Sequence, residues 1–62
     1  MIAAEKAKKV DLALRRLGGD IIDDREGIND DDALIAYEAI RNFIRSAPIS
    51  SKARLFDILT NN

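Results

Sequence analysis

Apolar residues recur along the first third of the chain at helical intervals. Ala3, Ala7, Val10, Leu14 and Leu17 are separated by four, three, four and three positions. That spacing gathers them on one stripe of a helix that turns once per about 3.6 residues. Ala13 widens the stripe, and Leu12 falls roughly opposite it. Glu5 with Lys9, and Asp11 with Arg15, stand four apart, where opposite charges meet across a helical turn. The pattern predicts a helix over 2–17. Gly18-Gly19 predicts its end, because glycine adopts the left-handed backbone that terminates helices.

A second periodic segment runs over 30–46. Ala33, Ala36, Tyr37, Ile40, Phe43, Ile44 and Ala47 form a broad apolar face, with Glu38, Arg41, Asn42 and Arg45 on the opposite strip. Asn29 is placed to cap its start, and Asp30, Asp31 and Asp32 fill the first turn, where carboxylates complement the positive end of the helix dipole. Pro48 disfavours helix at Ala47, so the segment should close near Ser46. A third helix is predicted over 50–60, capped by Ser50 or Ser51, with Ile49, Leu55, Phe56 and Leu59 on its apolar side. Residues 20–28 are ambiguous between an extended connector and a single helical turn opened by Asp20 and closed by Gly27. The short turn is preferred. The fold class that follows is all-α, a small three-helix bundle with a short acidic connector between its first two long helices, residues 1–62 forming one domain.

Length changes the picture. A chain of 62 residues buries only roughly 60% of the surface it exposes when unfolded, and such small folds need a further source of stability. There is no Cys, which removes disulfides and thiolate metal sites. There is no His, which removes the commonest metal ligand and the usual general base. What remains is tight helix packing, or association with another chain. We expect association, as a homodimer.

The net charge of −1 hides an uneven layout. Residues 1–19 carry Lys6, Lys8, Lys9, Arg15 and Arg16 against Glu5 and Asp11, a net +3. Residues 20–32 carry seven acids against Arg25, a net −6, and residues 33–62 return to +2. No stretch approaches the roughly 20 apolar residues that span a bilayer, and the first residues lack the apolar run of a signal peptide. The expectation is a soluble, cytoplasmic protein with no membrane contact.

Helix, acidic segment and helix invite comparison with a calcium-binding loop. Such a loop needs oxygen ligands at its first and twelfth positions and glycine at the sixth. Setting Gly27 as the sixth places Ile22 first and Ala33 twelfth. Neither carries a ligand, so no metal and no cofactor is expected. Asp20, Asp23, Asp24 and Glu26 are instead a candidate surface for a basic protein partner.

A helix-turn-helix drawn through residues 12–27 would put those acids against DNA phosphates, which repel them. An alternative placement uses the later helices, with Arg41, Arg45, Lys52 and Arg54 as nucleic-acid contacts. Catalysis is not expected. Ser46, Ser50, Ser51, Thr60 and Tyr37 have no histidine to activate them.

The preferred function is therefore a non-enzymatic protein–protein interaction or regulatory module that self-associates. Its expected shared core is Val10, Leu14, Leu17, Tyr37, Ile40, Phe43, Ile44, Phe56 and Leu59.

Overall fold

Helical periodicity is realised in three elements: α1 (Ala3–Asp23), α2 (Asp30–Ser46) and α3 (Ile49–Thr60). They were obtained as a computed structural model, which describes residues 2–23 and 28–61. The chain is all-α, and no strand occurs among the described residues.

The long first helix is the common partner. Its C-terminal half packs on α2, where Gly18 lies under Tyr37 and Ile40. Its N-terminal half packs on α3, through Lys6 Nζ to Asp57 Oδ1 at 2.7 Å and Lys9 Nζ above the Phe56 ring at 6.0 Å. Both later helices thus run antiparallel to α1, one after the other. Among the described residues no Cα atoms of α2 and α3 approach within 8 Å.

The Cα trace measures 37 × 24 × 14 Å. The smallest of these is the width of one packed helix pair, given axes about 8–10 Å apart and Cα radii of about 2.3 Å. A molecule this thin cannot enclose a large side chain on all sides. The buried apolar residues are accordingly few and small: Ala7, Val10, Ala33 and Ala53.

α1 does not stop at Gly18-Gly19, as the sequence predicts, but continues through Asp20 and Ile21 to Asp23. Neither glycine has the left-handed backbone of a helix stop. Gly18 is buried, and a Cβ there would sit 3.3 Å from Tyr37 Cδ1 and 3.5 Å from Cε1. Its role is close approach of two helices, which overrides the local preference to terminate. The separate turn opened by Asp20 is therefore absent. Residues 20–23 belong to α1, residues 24–27 of the expected connector lie outside the described residues, and Ile28 is exposed ahead of α2.

The start of α2 follows the sequence. Asn29 Oδ1 accepts from the Asp32 N–H at 2.8 Å, while Asn29 Nδ2 donates to Asp32 Oδ2 at 3.0 Å. One orphan N–H of the first turn is satisfied and the cap is locked reciprocally. α2 closes at Ser46, before Ala47 and Pro48 in extended conformation. The cap of α3 does not follow the sequence. Pro48 holds that position without a side-chain hydrogen bond, and Ser50 and Ser51 fall inside the first turn. Proline fixes the entry angle here and leaves the serines nothing to cap.

Lys52 ties the three helices together. Its side chain is buried, with Nζ 2.8 Å from Asp11 Oδ1 on α1 and donating to Ile44 O on α2 at 2.6 Å. Ile44 O belongs to the last turn of α2, whose carbonyls have no intrahelical partner. The Asp11 contact is ionic in character: Oδ1 is buried and lies off the hydrogen-bond direction despite its short distance. The Asp11–Arg15 and Glu5–Lys9 pairings suggested by spacing give way to Asp11–Lys52 and Lys9 over Phe56. No helix among the described residues is long and apolar enough to cross a membrane.

Candidate functional site

On one side of the α1–α2 contact the helices leave an open groove of about 560 Å³. Its position follows from Gly18 and Gly19. Without side chains there, the wall of α1 drops away beside Tyr37, and the groove opens between Arg15 on α1 and Arg41 and Arg45 on α2. Leu14, Tyr37, Ile40 and Ile44 make its apolar floor, all four half-buried.

Three cationic side chains stand on this rim, and all three are exposed. The Arg41 guanidinium carbon lies 5.8 Å from the Tyr37 ring centroid, a cation–π arrangement. Arg45 Nη2 donates to Asn42 Oδ1 at 3.0 Å, which steers its guanidinium along the helix surface. A shallower polar hollow adjoins the groove, formed by Glu38, Arg41, Asn42 and Arg45. The site is thus an apolar trough with arginines on its rim and Glu38 beside them. Such a surface matches a partner that presents carboxylates around an apolar side chain.

The expected shared-core residues divide by burial. Val10 is buried; Leu14, Tyr37, Ile40, Phe43, Ile44 and Phe56 are half-buried; Leu17 and Leu59 are exposed, at 48% and 62%. Of the acidic surface, Asp20 and Asp23 lie exposed on the last turns of α1, while Asp24 and Glu26 fall outside the described residues. Of the basic residues offered to nucleic acid, Arg41, Arg45 and Arg54 are exposed. Lys52 is not on that face. It is 7% exposed and engaged by Asp11 and Ile44.

Two hydroxyls are turned back on their own helices. Ser46 Oγ donates to Asn42 O, and Thr60 Oγ1 donates to Phe56 O at 2.8 Å. Among the described residues no group of three or more carboxylates is placed to share a metal ion.

Sequence reasoning missed Arg15 and the two glycines as parts of a site. The signal in the sequence is the row Tyr37, Arg41, Arg45 at intervals of four, which stacks an aromatic and two arginines on one side of a helix. Nothing in the row says that α1 leaves a trough beside it. Comparison with protein-family models, curated sequences and solved structures finds no significant match.

Proposed function

We propose that this chain is a non-enzymatic protein–protein interaction module that completes its core by pairing with a second copy of itself. The observation that carries the reading is its surface. A folded monomer of 6.9 kDa exposes about 4,000 Å² by the usual mass scaling. This chain exposes 4814 Å². That is roughly a fifth more than a compact monomer of this mass exposes.

Large apolar side chains are part of that surface. Ile2, Leu12, Leu34, Ile35, Ile49, Ile58 and Leu59 are each more than half exposed. Scattered apolar exposure is ordinary in a monomer. Here it coincides with a fully buried core of only three alanines and one valine. A second copy seated on part of this surface adds enclosed apolar area that one chain lacks. The exposed acids Asp20 and Asp23 are left as a surface for a further, basic protein partner. Nucleic acid is the weaker alternative, because the arginine groove is flanked by Glu38 and by the acidic turn of α2, which repel a long polyanion.

Thermal unfolding tests this reading. A dimer that unfolds to separate chains melts higher at higher protein concentration, by about 10 °C for a hundredfold increase at this size. A melting temperature independent of concentration rejects it.

A further inference from the structure

The groove side of α2 carries its charges in a definite order. Asp31, Leu34, Glu38, Arg41 and Arg45 are spaced by three, four, three and four positions. At about 100° per residue they fall within roughly 80° of arc, a single seam along the helix. All five are exposed. Read along the chain the seam runs acid, apolar, acid, base, base. Arg15 of α1 stands across the groove from its basic half.

That order is self-complementary in one orientation only. A second copy laid parallel on the seam sets acids against acids and arginines against arginines. A second copy laid antiparallel sets each acidic half against a basic half. We propose that this seam and the adjoining groove form a two-fold, antiparallel interface between two copies of the chain. The proposal rests on the self-association reading above and assigns it a face.

A two-fold axis crossing between Glu38 and Arg41 puts Glu38 opposite the partner's Arg41, and the symmetry repeats the pair. Arg45 then comes opposite the partner's Leu34, one turn from the partner's Asp31. Leu34 is 51% exposed, and it faces the side on which the other copy opens its trough. The result is a centre of reciprocal Glu38–Arg41 ion pairs, with Leu34 of each copy set against the aliphatic stem of the partner's Arg45 at either end. The opposite flank of α1 carries Leu17, which is 200° around the helix from Arg15 at about 100° per residue. That flank offers apolar contact without any charge order to set a register.

Charge reversal with mixing tests the assignment by sedimentation equilibrium. Two variants are made: Arg41→Glu with Arg45→Glu, and Asp31→Arg with Glu38→Arg. All four side chains are exposed, and helical circular dichroism checks that each variant folds. If the variant carrying Asp31→Arg melts, the Glu38→Arg single variant takes its place.

The wild type is expected at twice 6.9 kDa and each variant alone at 6.9 kDa. An equimolar mixture of the two variants is expected back at twice that mass. A wild type that stays at 6.9 kDa rejects self-association itself. If both variants stay dimeric while Leu17→Ser becomes monomeric, self-association stands and the interface is on the other flank. Variants that separate but fail to recombine overturn the antiparallel pairing.

Discussion

Lys52 offers the sharpest perturbation of the fold. Its replacement by methionine keeps the apolar stem but removes the ammonium that bridges Asp11 and Ile44 O. The Asp11 carboxylate is then left against the α1–α3 contact, and a last-turn carbonyl of α2 loses its donor. Removing one partner of a buried ion pair costs about 3–5 kcal/mol. Asp11 retains 28% side-chain exposure, so water recovers part of its hydration. A cost of about 2–3 kcal/mol follows. A domain of this length holds roughly 3–9 kcal/mol in total, so the loss is a large share of it.

The corresponding fall in melting temperature is about 10–20 °C, measured by circular dichroism at fixed protein concentration. The double variant Asp11→Leu with Lys52→Met leaves no charge unpaired and should regain more than half of that loss. The reasoning is refuted if Lys52→Met melts within about 3 °C of the wild type, as a solvated surface lysine would. It is also refuted if the double variant is no better than the single one.

Other changes discriminate between neighbouring residues. Gly19→Ala meets no atom within 4 Å and should stabilise α1 by about 0.5–1 kcal/mol, a rise of several degrees in the melting curve. Gly18→Ala presses on Tyr37 at 3.3 Å and should gain less or lose stability, and Gly18→Leu should unfold the α1–α2 contact. Asn29→Ala removes the cap bond to Asp32 and should cost about 1 kcal/mol in a denaturant titration. Ser50→Ala and Ser51→Ala should each stay within about 0.5 kcal/mol of the wild type in the same titration, because neither caps α3.

Legibility in the sequence tracks how local each determinant is. The start of α2 was readable because Asn29 and the three aspartates act on backbone groups within one turn. The break between α2 and α3 was readable because Pro48 restricts its own neighbour. The end of α1 was not readable. Gly18-Gly19 carries the local signature of a stop, and only the ring of Tyr37, nineteen positions from Gly18, explains why the helix passes through. Lys52 reads in the sequence as an accessible nucleic-acid contact because neither Asp11 nor the Ile44 carbonyl is near it along the chain.

The groove lies between these cases. Its arginine row is written in α2, but its depth comes from missing side chains on α1. The same division explains the excess surface. Amphipathic spacing shows which residues one helix turns inward, but not that α2 and α3 each pack on α1 alone and leave their other flanks uncovered.

Pairing of two copies is the step on which the proposed function depends. Sedimentation equilibrium of the unmodified chain, followed from low micromolar protein upward, addresses it most directly. A mass that rises to a plateau at twice 6.9 kDa is expected. A mass of 6.9 kDa at every concentration contradicts it.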